Sequence, residues 1–237
     1  MSSIIGHRGV ASLAPENTLA GIHKAAELGL GWIELDVTLL GDGTAVMFHD
    51  PTLDRTTNGE GELVNTSSGH VNTLDAGGWF SKHYENEPVP TLLAVLTLIK
   101  ELGLGLNLEL KSNGCNLDQL VNAVVDQLAQ SGFPADQLLV SSFSHKALLL
   151  FRARSDVRIG CLFEYLSFGW KNKVNKLGAV SVHVSVKFLN EKQVGEIKRL
   201  GCEVYCYTIN SQHDVLRLKG WKVDGVFSDC PQMLSFG

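Results

Sequence analysis

The sequence predicts an α/β protein, a (β/α)8 or TIM barrel with an antiparallel hairpin arm and a small insertion after it. Three observations support this fold class. Short apolar runs alternate with segments of helical periodicity along the chain. The length of 237 residues suits one barrel, because single-domain barrels have about 250 residues. One additional apolar run lies too close to the strand before it to run parallel to that strand.

The eight predicted strands are short and either apolar throughout or alternately apolar and polar. They span 3–6, 31–37, 105–111, 137–142, 157–163, 180–184, 203–208 and 224–228. Helical periodicity follows most of them, over 17–28, 91–102, 117–129, 144–154, 165–177, 190–200 and 211–218. Gly29 and Gly103 come directly after the first two of these segments, where glycine commonly ends a helix. Asn17 is expected to cap the first helix, with contact to a ligand as the alternative.

A ninth apolar run, at 45–48, predicts the hairpin arm. Too few residues separate it from the strand at 31–37 for a parallel crossover, which needs about a dozen. Residues 41–43 read Gly-Asp-Gly, which is typical of a hairpin turn. We therefore expect 45–48 to run antiparallel beside that strand, which would bring His49 level with Glu34 and Asp36.

The segment 51–90 follows the hairpin arm and lacks clear periodicity. It is rich in Gly, Asn, Thr and Ser. Long irregular segments in compact domains often serve as lids or binding loops. We therefore predict a single domain over 1–237, in which 51–90 is an inserted loop region that caps the mouth of the barrel.

Composition and charge argue against several classes of protein. Hydrophobic residues make up 44% of the chain and charged residues 19%, which indicates a globular chain. The net charge of −5 argues against a general nucleic-acid-binding protein. No apolar run approaches the ~20 residues of a membrane span, so no stable membrane association is expected. The first residues lack a secretory pattern and the five cysteines lack a CxxC pair, which predicts a cytoplasmic protein with free thiols.

Three acidic residues in two predicted strands form a candidate metal site. Because side chains alternate between the faces of a strand, Glu34 and Asp36 share one face, and Glu109 lies on the polar face of its own strand. Carboxylate oxygens suit hard cations, so the predicted cofactor is one divalent cation, Mg²⁺ or Ca²⁺. The alternative is a charge network with Arg8 and Lys111. We favour the metal because three acids outnumber the two cations available to neutralise them.

Two histidines are the candidate acid and base. His7 ends the first predicted strand, and His49 ends the hairpin arm. Hydrolysis of a phosphodiester needs a base for the nucleophile and an acid for the leaving oxygen, and two imidazoles can fill these roles near neutral pH. For any single histidine, ordinary packing is the alternative. Asp50 could orient His49 or reach the metal through a water.

Further polar and aromatic residues are candidate substrate contacts. Arg8 and Lys111 could neutralise phosphate oxygens, and Arg8 could do so with two parallel hydrogen bonds. Tyr207 could pack against substrate carbons at the mouth, with packing in the core as the alternative. His183, at the end of a predicted strand, is a further candidate of this kind.

Eight short motifs are spread over essentially the whole chain. They are His-Arg-Gly at 7–9, Pro-Glu-Asn-Thr at 15–18, Glu-Leu-Asp-Val at 34–37, Phe-His-Asp at 48–50, Leu-Asp-Arg-Thr-Thr-Asn-Gly at 53–59, Glu-Leu-Lys at 109–111, Tyr-Thr-Ile-Asn at 207–210 and Asp-Gly-Val at 224–226. In sequence and in order, they resemble the motifs of the glycerophosphodiester phosphodiesterase family. The chain is most similar to the bacterial cytoplasmic branch of that family.

This resemblance implies both a fold and an activity. The implied fold is a TIM barrel with a small inserted region. The implied site has a divalent metal on Glu34, Asp36 and Glu109, an acid/base pair in His7 and His49, and a phosphate near Arg8 and Lys111. The expected reaction is metal-dependent hydrolysis of a small-molecule glycerophosphodiester to glycerol 3-phosphate and an alcohol. The alternatives are a phospholipase acting on another lipid headgroup, which needs an apolar rim facing a membrane, and a non-catalytic phosphate-binding protein.

Overall fold

Eight parallel strands close into a barrel at the centre of the molecule. In this computed structural model, which describes residues 3–236, one sheet contains nine strands. They are Ile4–Gly6 (β1), Trp32–Leu39 (β2), Ala45–Met47 (β3), Gly105–Leu110 (β4), Leu138–Ser142 (β5), Arg158–Phe163 (β6), Ser181–Ser185 (β7), Glu203–Tyr207 (β8) and Gly225–Ser228 (β9). Strand β1 pairs in parallel with both β2 and β9, which closes the barrel. The predicted TIM barrel is confirmed.

Helices lie on the outside of the barrel and, apart from the short helix Ser68–Val71 in the insertion, bury their apolar faces against the strands. They are Leu19–Glu27 (α1), Ser68–Val71 (α2), Leu92–Leu102 (α3), Leu117–Ser131 (α4), His145–Arg152 (α5), Trp170–Leu177 (α6), Glu191–Arg199 (α7) and Gln212–Gly220 (α8). Helix α3 ends at Gly103, whose φ of 68° suits glycine. The helix predicted over 165–177 begins only at Trp170, because Gly169 has a left-handed φ of 82° that a right-handed helix cannot include.

The hairpin arm, β3, lies antiparallel to β2. Val37 pairs with Met47, and Leu39 pairs with Ala45. The turn contains Gly43 at a φ of 84°, a conformation that favours glycine. After β3, the Phe48 backbone N–H donates to the Asp36 carbonyl at 3.0 Å. The following residue, His49, is therefore held close to the acidic residues of β2.

The insertion 51–90 lies beside the mouth of the barrel rather than over it. Its apolar side chains form a small core with the hairpin arm, which includes Phe48, Leu53 and Leu63. Hydrogen bonds tie it to the loop after β1 and to the start of α1: Tyr84 Oη donates to the Leu13 carbonyl, and the Ala20 N–H donates to Glu87. Among the described residues, none that lines the central pocket belongs to 51–90. The expectation that 51–90 caps the mouth was wrong, because the apolar side chains of this segment pack against the hairpin arm.

The wall of the barrel is apolar outside and polar inside near its carboxyl-terminal end. On β2, Ile33, Leu35 and Val37 are fully buried in the core between strands and helices. The intervening residues, Glu34 and Asp36, point into the barrel, as the strand alternation predicts. A single strand, β2, thus places the carboxylates of Glu34 and Asp36 in the lumen of the barrel.

All five cysteines are free thiols. None of the helices within 3–236 is long and apolar enough to cross a bilayer.

Candidate active site

One pocket of about 230 Å³ opens at the carboxyl-terminal ends of the strands. In TIM barrels this is the end where active sites lie. Its polar side is lined by His7, Arg8, Glu34, Asp36, His49, Asn107, Glu109 and Lys111, and its apolar side by Phe143, Leu162, Tyr207 and Phe227. All eight site residues predicted from the sequence therefore lie around a single cavity.

The three predicted metal ligands come together on two neighbouring strands. Strands β2 and β4 pair in parallel, with Glu34 opposite Asn107 and Asp36 opposite Glu109. One carboxylate oxygen from each acid lies within 4.8 Å of the others. All three acids are buried. This cluster could hold a divalent metal ion with oxygen ligands.

The charges around this cluster fit a bound cation. Burial, reinforced by Asp36 and Glu109, raises the pKa of Glu34 well above its usual value. Burial and Asp36 also raise the pKa of Glu109, to about 7. The buried Oε1 atom of Glu34 has no hydrogen-bond partner, and an unpartnered buried carboxylate oxygen is costly. A cation bound here would relieve both the unpaired oxygen and the repulsion between the carboxylates.

Ion pairs with Lys111 and Arg8 neutralise part of the negative charge of the cluster. Lys111 Nζ lies 2.9 Å from a Glu109 oxygen and 3.7 Å from an Asp36 oxygen, and Arg8 Nε lies 3.5 Å from Asp36. Burial would raise the pKa of Asp36, but Lys111 and Arg8 lower it. The charge network is therefore compatible with a metal site at the same acids, and Glu34 is the acid that the protein cations neutralise least.

The backbone of Arg8 has an uncommon conformation and hydrogen-bonds to the same cluster of acids. Its φ of 51° lies in the left-handed region, which is uncommon for a residue with a side chain. This conformation lets its N–H donate to Glu34 Oε2 at 3.0 Å. Its guanidinium Nη1 donates to Glu16 at 2.8 Å. Arg8 thus contacts Glu34 with its backbone, while its side chain approaches Asp36 and lines the pocket.

Each of the two candidate catalytic histidines has its own carboxylate partner. His7 Nδ1 lies 2.7 Å from Asp229, and His49 Nδ1 lies 2.6 Å from Asp50. A carboxylate at Nδ1 favours the tautomer that carries its proton there, which leaves Nε2 free. His7 Nε2 lies 3.9 Å from Glu34 and so points toward the acidic cluster. Burial lowers the pKa of His49, although Asp36 opposes this effect.

The apolar side of the pocket is built by strands β5 to β9. Tyr207 lines it, and its hydroxyl donates to the Phe163 carbonyl at 2.9 Å. The ring of Phe143 meets that of Tyr207 edge to face at 5.9 Å. His183 lies at the bottom of the pocket, fully buried in the middle of β7, where burial lowers its pKa to about 3. It is therefore neutral, and it shares a hydrogen bond with Ser181.

Asn17 does not have the role of helix cap that its sequence position predicted. Thr18, not Asn17, caps α1. Asn17 has a left-handed φ of 57°, donates from Nδ2 to Asp36 Oδ2, and accepts from the Asp36 N–H, both at 2.9 Å. The N-cap expectation was wrong because Asn tolerates the left-handed conformation, which turns its amide toward the buried acid. Asp229 was also missed, although its position directly after β9 is a signal for function in this fold.

Replacing Asn17 by alanine should lower the free energy of unfolding by about 1–3 kcal/mol, because Asp36 would lose two buried hydrogen bonds. Thermal and urea unfolding would measure the loss. Asn122→Ala is the matched control, because Asn122 is exposed and makes only a long contact of 3.4 Å with Asp118. Equal stability of the two variants would contradict the proposed support of Asp36.

Comparison with known proteins defines the class: the fold is that of a TIM-barrel phosphodiesterase. A model of the glycerophosphoryl diester phosphodiesterase family matches residues 7–233. The chain belongs to that family and is an enzyme of its kind, a phosphoric diester hydrolase.

Individual relatives support this assignment over the full length. A glycerophosphodiester phosphodiesterase of Caldanaerobacter subterraneus subsp. tengcongensis is 32% identical over 98% of this chain and 95% of its own. An Oleispira antarctica phosphodiesterase, solved with its product sn-glycerol-3-phosphate, is 38% identical with a TM-score of 0.94 over 98% and 95% of the two chains. An Agrobacterium tumefaciens glycerophosphodiester phosphodiesterase is 27% identical with a TM-score of 0.82, over 98% of each chain.

Proposed function

We propose that this protein hydrolyses glycerophosphodiesters to glycerol 3-phosphate and an alcohol, with a divalent metal ion and a histidine acid/base pair. The observation that carries the proposal is the convergence of the three groups this chemistry needs. One pocket contains a buried carboxylate cluster, two cationic side chains, and two histidines that each have a carboxylate partner. The product found in the Oleispira antarctica structure supports glycerol phosphate as the recognised group.

In this proposal, Glu34, Asp36 and Glu109 hold one Mg²⁺ or Ca²⁺ ion. When bound, the ion supplies positive charge that stabilises the phosphate in the transition state. Arg8 and Lys111 neutralise phosphate oxygens from the same side of the pocket. Their pairing with the acids keeps both cations in place before substrate arrives.

The two histidines transfer protons on either side of the phosphate. One Nε2 accepts the proton of the nucleophile, and the other Nε2 bears the proton that the leaving alkoxide takes up. Asp229 and Asp50 keep Nδ1 of His7 and His49 protonated, so the base accepts a proton on its free Nε2 and the acid acts as the doubly protonated imidazolium. Tyr207 and the apolar wall around it face the carbon atoms of the substrate and exclude water from one side.

Residues 1–237 form one phosphodiesterase domain, with 51–90 as its inserted region. The protein acts in the cytoplasm on a small-molecule substrate, without nucleic acid and without a stably bound membrane. Its free thiols support this location, and its acidic net charge argues against a nucleic-acid partner.

The direct test is a coupled assay for glycerol 3-phosphate release from several glycerophosphodiesters. We expect release with Mg²⁺ or Ca²⁺, loss of release in excess EDTA, and recovery when the metal is restored. Glycerophosphocholine and glycerophosphoethanolamine are suitable first substrates. Absence of release with any divalent metal would support a non-catalytic phosphate-binding protein instead.

A second candidate, a phospholipase acting on another lipid headgroup, is favoured by one observation. Four exposed aromatic residues lie in the loops after β5, β6 and β7, at the same end of the barrel as the pocket: Phe143, Tyr165, Phe168 and Phe188. Large exposed apolar groups often mark interaction surfaces. Sedimentation with phosphatidylglycerol or phosphatidylcholine vesicles separates the candidates. Firm binding that is lost in Phe168→Ser would favour the phospholipase, and absence of binding would favour the soluble substrate.

A further inference from the structure

We propose that Arg55, in the insertion, is a positioning residue that holds the partners of His49 and Arg8 in one arrangement. The inference rests on the proposed function and adds to it a role for a residue outside the pocket. Arg55 makes four hydrogen bonds to two carboxylates. Its Nε and Nη2 donate to Asp50 at 2.5 and 3.1 Å, and its Nη1 and Nη2 donate to Glu16 at 2.8 Å each.

Both carboxylates that Arg55 holds are themselves bound to predicted site residues. The Oδ1 atom of Asp50 lies 2.6 Å from His49 Nδ1. The Oε1 atom of Glu16 accepts from Arg8 Nη1 at 2.8 Å. A continuous chain of hydrogen bonds therefore runs from His49 through Asp50, Arg55 and Glu16 to Arg8, and it joins the hairpin arm to the loop after β1.

The backbone near His49 does not depend on Arg55. The Asn113 side-chain amide donates to the carbonyls of His49 and Asp50, at 3.1 and 3.0 Å. The Phe48 N–H is bound to β2. Loss of Arg55 would therefore leave the chain path in place. It would free the two carboxylate side chains, and the imidazole of His49 would lose its fixed orientation.

The local charges agree with this role. The hydrogen bond from Arg55, followed by that from His49, lowers the pKa of Asp50 to about 2. Burial would raise the pKa of Glu16, but hydrogen bonds and charge from Arg55 and Arg8 lower it. Both carboxylates are therefore ionised near neutral pH and act as acceptors only. Each carboxylate therefore needs the donor groups of Arg55 to fix its orientation. Only then can Asp50 hold His49, and Glu16 hold Arg8, in one orientation.

The geometry requires arginine at this position. A guanidinium presents a planar fork that can bind two carboxylates at once, whereas an ammonium group is a point charge on a flexible stem. Asp50 accepts hydrogen bonds from Nε and Nη2, and Glu16 accepts hydrogen bonds from Nη1 and Nη2. Arg55→Lys would keep the charge but could not reproduce this double fork.

The test compares Arg55→Lys and Arg55→Met with wild type in the glycerol 3-phosphate assay. We expect kcat to fall roughly 10- to 100-fold in both variants, because small displacements of a catalytic group are costly, with KM changed much less. Arg154→Met is the control, since Arg154 pairs with Asp118 on the outer surface and neither residue lines the pocket. It should keep wild-type kcat, which shows whether loss of a surface ion pair by itself affects turnover.

Two further measurements separate positioning from a general structural role. Guanidinium ion at millimolar concentration should restore part of the kcat of Arg55→Ala. Arg55→Met should reduce kcat little further in an Asp50→Asn background, because both changes break the same chain. A kcat within twofold of wild type, full additivity with Asp50→Asn, or no guanidinium effect would overturn the proposal. An inactive wild-type enzyme would instead overturn the proposed function.

Discussion

Replacing either His7 or His49 by alanine should lower kcat for glycerol 3-phosphate release by about 10²–10⁴-fold. The expected loss is large because each imidazole is proposed to transfer a proton in the transition state. His213→Ala is the matched control, because His213 is exposed on α8, away from the pocket. Near-normal turnover in either active-site variant would contradict histidine acid/base catalysis.

A change of leaving group assigns the two histidines to their roles. The p-nitrophenyl ester of glycerol 3-phosphate releases a stable phenolate that needs no acid. The variant that lacks the acid should therefore recover much of its activity on this substrate, whereas the variant that lacks the base should stay impaired. Equal recovery of both variants, or of neither, would show that the two imidazoles do not divide the roles in this way.

Replacing Glu34 by glutamine should weaken binding of Mg²⁺ or Ca²⁺ by about 10²-fold or more, since loss of a group that only hydrogen-bonds to a metal ligand already costs roughly 10–100-fold. Glu34 is chosen because protein cations neutralise it least and one of its oxygens is unpaired. Titration calorimetry with the metal alone measures this directly, without substrate. Glu101→Gln, on the exposed side of α3, is the control. Unchanged affinity in Glu34→Gln would contradict the metal site.

The metal affinity of this site and the gain in Tm on metal binding should both depend on pH. The pKa of Glu109 is raised from 4.5 to about 7, and that of Glu34 is also raised. The metal-free folded state therefore binds more protons than the unfolded state, and Glu109 costs stability as pH rises from about 4.5 to 7. Metal affinity should rise over the same range, with a metal-induced gain in Tm that is larger at pH 8 than at pH 5. A gain independent of pH would contradict this linkage.

The fold was predictable because its signals are local. Alternation along β2 showed that Glu34 and Asp36 share a face, and the short gap before 45–48 required an antiparallel return. Both properties depend on side chains and loops only a few residues apart. Helix ends were less accurate: α6 begins five residues later than predicted, because Gly169 interrupts the helical conformation.

The supporting residues were harder to predict because their partners are distant in sequence. His7 and its partner Asp229 are 222 residues apart and meet only because β1 pairs with β9. Asn17 looks like a helix cap in the sequence, and only the left-handed backbone at that position turns it toward Asp36. No periodic pattern carries such information.

The sequence by itself determined the barrel, the residues that face its lumen, and the family whose motifs the chain contains. These follow from periodicity, loop length and motif order, which are read along the chain. Only the tertiary structure decided which carboxylate serves each histidine, that 51–90 lies beside the mouth, and that Arg55 links Asp50 to Glu16. Those contacts arise when barrel closure and side-chain packing bring remote segments together, and their geometry exists only in the folded molecule.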